Sequence, residues 1–360
     1  MAPKSSKVRI GFIGAGRIAD LHARAYANND QAELAAVADP APGRATERAA
    51  EWGSGLAFED YHDLLADESI DGVEILLPHK LHSSVAIEAL AAGKAVSLQK
   101  PPGLTMSEAD GLFNVAKSSK PLFRVFDNFL SYAPFRRAKS IIDSGEIGDP
   151  QMFKISAIYG KGVGVWDIPS DSMVWRQDPS QNGGPPSIID HGAHMAASIV
   201  YFMGPIETAH TFNEIAETDV DAGRGGPMTI TFRTVNSRRL GVWTMTGAQE
   251  LEIPSDYYPG DEFIEVVGSK GIVWVSRCSG NLLNQPPVSA LSGGKMRHFE
   301  DMETDWGESF KTAGEEFGQA IETGEQVDMD AEMSRNVYAF QLAAVKSANE
   351  SREVNISEIG

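Results

Sequence analysis

Cysteine is nearly missing from this chain. Cys278 is the only one, so no internal disulfide can form and a small stapled secreted fold is excluded. With no thiolate-stabilising partner in view, Cys278 reads as a small structural residue. Long apolar runs are missing too: no stretch approaches the roughly 20 residues a membrane helix requires, and the apolar run after MAPKSSK is too short and wrongly flanked for a secretory signal. A soluble, cytoplasmic protein is expected. Basic residues are scarce, 31 against 50 acidic ones for a net charge of -19, which speaks against nucleic acid as a partner because phosphate backbones are held by clustered cations.

What is present is enough apolar sequence for two domains in 360 residues. From Val8 onward, short apolar runs alternate with amphipathic stretches of helical length. The runs Val8–Ile13, Glu33–Asp39, Gly72–Pro78 and Ala95–Gln99 read as strands, with helices at Ile18–Ala27, Arg44–Trp52, Leu81–Ala92 and Ser107–Lys117 between and after them. Strands apolar on both faces and joined by helices predict a parallel, doubly wound sheet of the Rossmann class. A strand at Leu122–Asp127 and a helix at Pro134–Pro150 follow, the helix running into a Gly-x-x-Gly-x-Pro breaker.

Beyond Gln151 the pattern changes to alternating, β-rich runs separated by glycine or polar turns, which predicts an α+β domain on one large, mostly antiparallel open sheet. Its helices are expected around His191–Phe202, Trp306–Glu322 and Ala331–Asn349. The predicted domains are therefore 1–130, nucleotide-binding, and 131–360, substrate-binding and oligomerising, with the C-terminal helices able to pack back on the first. The Gly- and Asp-rich stretch Asp219–Gly226 reads as a mobile loop.

Three stretches carry chemistry. The first is GAGRIA, from Gly14 through Gly16, Arg17 and Ile18 to Ala19, between the first strand and helix. Gly14 permits a tight turn, Gly16 lets the backbone approach a pyrophosphate, and Ala19 lets the helix pack closely on the strand. The helix N-terminus presents N–H groups to the anion. Asp39, ending the second strand, would accept from the adenosine ribose hydroxyls and repel a 2′-phosphate, which favours NAD; Arg44, one turn later, keeps NADP as the lesser alternative.

The second is Gln99-Lys100-Pro101, at the carboxyl end of a parallel strand, where open α/β sheets bind their ligands. Pro101 and Pro102 stiffen the backbone around the ammonium, and either isomer of the Lys100–Pro101 bond is compatible with the sequence. The third is Asp190 and His194, four apart and so on one face of a helix, a spacing in which a carboxylate orients an imidazole that acts as general base. His191 faces elsewhere and reads as structural. The H-x-x-H pairs His79/His82 and His191/His194 lack cysteine company and helical i, i+4 spacing, so no metal is expected.

In this order, Gly14-x-Gly16-x-x-Ala19, Asp39, Pro78-x-x-x-His82, Gln99-Lys100-Pro101 and Asp190-x-x-x-His194 resemble the Gfo/Idh/MocA oxidoreductases over nearly the whole chain. The resemblance implies a Rossmann domain followed by an open-sheet α+β domain often used for oligomerisation, and oxidation of a sugar or cyclitol alcohol with NAD(P). It also implies that Lys100 is the catalytic lysine, that Asp190 and His194 are the acid/base pair, and that Pro78, His79 and His82 lie by the cofactor. Trp175 and Arg176 would lie by the substrate. The family usually has Glu where this chain has Gln99, which removes a negative charge beside the lysine. Two other readings use the same parts: a redox-neutral glycosidase or lyase with transient sugar oxidation, and a non-catalytic sugar or dinucleotide sensor.

Overall fold

The computed structural model describes residues 7–162, 174–176, 178–213, 227–235 and 239–360. The elements begin with β1 (Val8–Ile13), α1 (Ala19–Ala27), β2 (Ala32–Ala38), α2 (Arg44–Trp52), β3 (Leu56–Phe58), α3 (Tyr61–Ala66), β4 (Gly72–Ile75), α4 (His82–Ala91), β5 (Ala95–Gln99), α5 (Met106–Ser118) and β6 (Phe123–Phe126). They continue with α6 (Ala133–Asp143), β7 (Pro150–Gly162), α7 (Pro179–Asn182), α8 (Pro186–Ile189), α9 (Gly192–Met203), β8 (Ile206–Asn213), β9 (Met228–Thr234), β10 (Leu240–Ile253), β11 (Gly260–Gly268) and β12 (Gly271–Val275). The chain closes with β13 (Val288–Ser292), β14 (Lys295–Phe299), α10 (Glu308–Thr323), α11 (Ala331–Glu350) and β15 (Val354–Asn355). The described parts of 1–128, 168–183 and 310–335 make one compact unit; those of 129–167, 184–309 and 336–360 make another.

The first unit is built on a six-stranded sheet ordered β3-β2-β1-β4-β5-β6, with every pairing parallel. Ile10, Phe12, Val37, Val73, Ile75, Val96 and Leu98 are fully buried in it, as central strands covered on both faces must be. Local chemistry sets the helix ends. Asp60 caps α3 by accepting the His62 N–H at 2.9 Å, and Thr105 caps α5 by accepting the Glu108 N–H at 3.2 Å. Phe317 of α10 joins the core beside Phe12 and Tyr26, so a helix distant in sequence completes this unit.

The second unit carries a nine-stranded sheet ordered β14-β13-β12-β11-β7-β10-β9-β8-β15. Its pairings are antiparallel except β7 with β10, which run parallel. Alternation along β7 buries Phe153, Ile155 and Ala157 on one face and leaves Met152, Lys154 and Ser156 on the other. The expected loop 219–226, and residues 163–173 of the stretch running up to Trp175, lie outside the described residues. No helix among the described residues is long and apolar enough to cross a membrane.

Candidate active site

The glycine-rich turn follows β1 directly. Gly14 has φ of 101°, and a Cβ there would lie 2.5 Å from the Leu76 carbonyl oxygen, so both conformation and space demand glycine. A Cβ on Gly16 would meet no atom within 4 Å, which leaves open a cradle at the start of α1. Asp39, buried just past β2, accepts the Ala15 N–H through Oδ2 and the Ala41 N–H through Oδ1, both at 2.9 Å. Its carboxylate is thereby locked against the turn, with lone pairs remaining for ribose hydroxyls. Arg17 pairs with Asp20 at 2.5 Å, and Arg44 is exposed at the first position of α2.

Open space at Gly16, a carboxylate fixed beside it and a helix N-terminus at the same turn fit a dinucleotide. Gly14, Gly16 and Ile18 would face its pyrophosphate and Asp39 its ribose.

The Lys100 turn lies at the carboxyl end of β5. The Lys100–Pro101 peptide is cis, Pro101 and Pro102 are buried, and Lys100 is half-buried. Helix α4 grips this turn from one side. Fully buried His82 places Nδ1 at 2.6 Å from the Pro101 carbonyl and Nε2 at 2.7 Å from the Leu77 carbonyl, tying the turn to the end of β4. Ser83 donates to the Pro102 carbonyl at 2.7 Å. On the other side the Gln99 side chain is engaged at both ends: its Nε2 donates to His22 Nε2 at 2.8 Å, and its Oε1 accepts the Lys100 N–H at 3.2 Å.

Pro78 opens a short helical turn, His79–Leu81, between β4 and α4. His79 is buried there, with Nδ1 at 2.9 Å from the Asn182 carbonyl and the Trp175 ring edge-on at 4.6 Å. The Arg176 guanidinium lies over Trp175 at 4.3 Å, and the Asn182 amide donates to the Arg176 carbonyl at 2.5 Å. The structure thus brings Trp175 and Arg176 to His79, beyond the end of β4.

Asp190 and His194 belong to the second unit. The helical stretch is broken between them: α8 ends at Ile189, Asp190 is buried at the junction, and α9 starts at Gly192. The turn continues through Ala193 and His194 N–H groups donating to the Asp190 and His191 carbonyls, both at 3.3 Å. The His194 ring stacks face to face on Phe129, 4.4 Å between centroids and 6° between planes, which sets its orientation. His191 is half-buried between the rings of Tyr159 and Tyr258. Among the described residues, no three His, Cys, Asp or Glu side chains cluster as a metal site.

Sequence reasoning passed over Glu74, His22 and Tyr26. Glu74 is buried inside β4, its carboxylate held by His22 Nδ1 and by the Tyr26 hydroxyl at 2.7 Å. Burial alone would raise the Glu74 carboxyl, yet His22, Arg124 and Tyr26 together hold it below the usual range. The signal was there: a glutamate in the middle of GVEILLP must be answered by buried donors, and His22 and Tyr26 stand four apart on α1.

Residues 8–126 match the family described as an oxidoreductase family with an NAD-binding Rossmann fold, and 135–274 match the GFO/IDH/MocA C-terminal domain. The chain is 27% identical to inositol 2-dehydrogenase of Rhizobium meliloti (strain 1021), over 97% of this chain and 99% of that protein. It is 27% identical to D-glucoside 3-dehydrogenase of Escherichia coli (strain K12), over 62% of this chain and 63% of that one. In fold it resembles levoglucosan dehydrogenase solved with NADH and levoglucosan, at a TM-score of 0.80 with 19% identity, covering 98% of this chain and 100% of that one.

Proposed function

Since the chain belongs to the GFO/IDH/MocA oxidoreductases, an NAD-binding family, we propose that it is a dehydrogenase that oxidises, or in reverse forms, a secondary alcohol of a sugar, anhydrosugar or cyclitol. The observation that carries this reading is the Lys100 turn: an ammonium at the carboxyl end of β5, in a turn clamped by His82, Ser83 and Gln99. In open parallel sheets this is where ligands bind. The inositol, glucoside and anhydrosugar dehydrogenases among its relatives supply the substrate class.

When bound, NAD supplies the carbon that accepts hydride from the alcohol carbon. Lys100 donates a hydrogen bond to the reacting oxygen and stabilises charge developing there. His194, oriented by its stack on Phe129, takes the hydroxyl proton, and Asp190 supports the imidazolium that results. Trp175 and Arg176 line the substrate, and Gly14, Gly16, Arg17, Ile18, Asp39, Arg44, Pro78, His79, His82, Gln99 and Pro101 serve the cofactor. The open sheet face supports a homo-oligomer: Met152 and Leu240, register neighbours on β7 and β10, are both exposed.

The test is absorbance of reduced nicotinamide with NAD or NADP against aldoses, inositols, anhydrosugars and glycosides, with product analysis. Net reduction of NAD by one of these alcohols is the expected result. Lys100→Met should lower turnover with that substrate by about 100-fold or more while NAD still binds; turnover within a few-fold of wild type would remove Lys100 from its role.

A further inference from the structure

Behind the Lys100 turn lies a buried polar row that the chemistry above does not use. Glu74, Ser97 and Arg124 are register partners on β4, β5 and β6 and occupy one face of the sheet. The Arg124 Nε donates to the Ser97 hydroxyl at 3.0 Å, and its guanidinium stands 4.0 Å from the Glu74 carboxylate. All three are buried. From the Glu74 carboxylate a hydrogen-bonded chain runs through His22 and the Gln99 amide to the backbone N–H of Lys100. His22 is 1% exposed, enclosed by the rings of Phe12, Phe126 and Phe310.

The hydrogen-bond geometry of this chain assigns its protons. The Gln99 Oε1 accepts the Lys100 N–H at 3.2 Å, so the nitrogen end of the amide faces His22. His22 Nε2 must then accept, and the single imidazole proton sits on Nδ1, directed at Glu74. The groups facing His22 and Glu74 include Tyr26 on α1, Gln99 on β5 and Arg124 on β6, and the Glu316 and Asp328 carboxylates act on Arg124 in turn. A carboxylate at position 99 offers only acceptors, so His22 Nε2 would have to carry a proton to meet it.

We infer that His22 is a positioning residue for Lys100: as a neutral Nδ1–H imidazole braced by Glu74, it fixes the Gln99 amide, whose oxygen holds the backbone of the lysine turn. Gln99 and neutral His22 are thus a matched pair. The inference rests on the proposed role of Lys100 for its effect on turnover, but not for its spectroscopic consequence.

Nitrogen-15 NMR of the full-length, histidine-labelled protein with NAD at neutral pH reads the state directly, His22 being assigned by the signal lost in His22→Phe. The expected result is a protonated Nδ1 and an unprotonated Nε2 in the wild type, with Nε2 becoming protonated in Gln99→Glu. A protonated His22 Nε2 in the wild type overturns the inference. In steady-state assays with the best alcohol found, His22→Phe should lower kcat about 10-fold or more with little change in KM for NAD, since displacement of a catalytic group costs rate rather than binding. Gln99→Leu cuts the same link and serves if His22→Phe does not fold. A kcat within about twofold of wild type in these variants, while Lys100→Met is inactive, overturns the positioning role and leaves Lys100 its own. An active Lys100→Met instead removes the proposed role of the lysine, and the NMR result still decides the matched pair.

Discussion

Gly14 and Gly16 sit two residues apart in one turn and answer to different demands. Alanine at 14 would force a Cβ into the Leu76 carbonyl at a φ of 101°, so Gly14→Ala should cost about 1–3 kcal/mol of stability, read as a lowered midpoint in urea. Alanine at 16 meets open space, so the same change should leave the midpoint within about 0.5 kcal/mol while weakening NAD binding at least about 10-fold by calorimetry, because its methyl occupies the cradle. Asp39 makes a similar double claim, since its carboxylate both anchors Ala15 and would repel a 2′-phosphate. Asp39→Ser should therefore shift the ratio of kcat/KM for NAD over NADP by about 10-fold or more toward NADP. An unchanged ratio would mean the carboxylate is not at the ribose.

At the scale of elements, β11 presents two adjacent buried acids at its start. Asp261 accepts backbone N–H groups of Glu262, Cys278, Gly280 and Leu282, which ties the segment after β12 to β11. Glu262 accepts the Ser279 N–H at 3.1 Å and hydroxyl at 2.7 Å, and lies 3.5 Å from the Tyr159 hydroxyl. Burial, and then the Asp261 charge, push the Glu262 carboxyl up to about 7. A folded-state pKa above the unfolded one means the native state binds more protons in between, so this stabilisation is present below about 4.5 and lost as pH rises to about 7. Glu262→Gln should flatten that slope: between pH 5 and pH 8 its Tm should fall less than the wild type's by several degrees. Parallel slopes would show that Glu262 is not the titrating group.

The elements themselves were unevenly legible. The strands and helices around the glycine turn stand out because each is apolar throughout or strongly periodic, and α2 matches its expected range of Arg44–Trp52. β3 has only three residues and β14 is KMRHF, nearly all exposed, so neither carries the apolar signal by which strands are recognised. The helix expected to run toward Pro150 stops at Asp143, because the chain reaches a left-handed Gly145 just beyond it.

For the whole molecule, the nine-stranded sheet exposes Met152 on β7 and Leu240 on β10 side by side on one face, with Val267 on β11 next to Met152. The protein should sediment as a homo-oligomer at micromolar concentration. Leu240→Lys should shift it toward the monomer with its circular dichroism unchanged, because a lysine desolvated at an interface costs several kcal/mol. A wild type that sediments as a monomer would reject this surface as the interface.

The sequence by itself determined the order of the chemistry: a glycine turn after the first strand, an aspartate closing the second, a lysine before two prolines, an aspartate and a histidine four apart. These are local, and local spacing against a strand or helix end is what a sequence states directly. Only the tertiary structure decided what holds them. The Lys100 turn is fastened by His82 and Ser83 from one helix and, through Gln99, by His22 from another, and His194 takes its orientation from Phe129. The hydrogen-bonded partners are 19 to 77 residues apart in the chain, and their burial is what makes each hydrogen bond obligatory. Which donor meets which acceptor follows from the packing of α1 and α4 around a common sheet, a property of the folded whole that no spacing along the chain encodes.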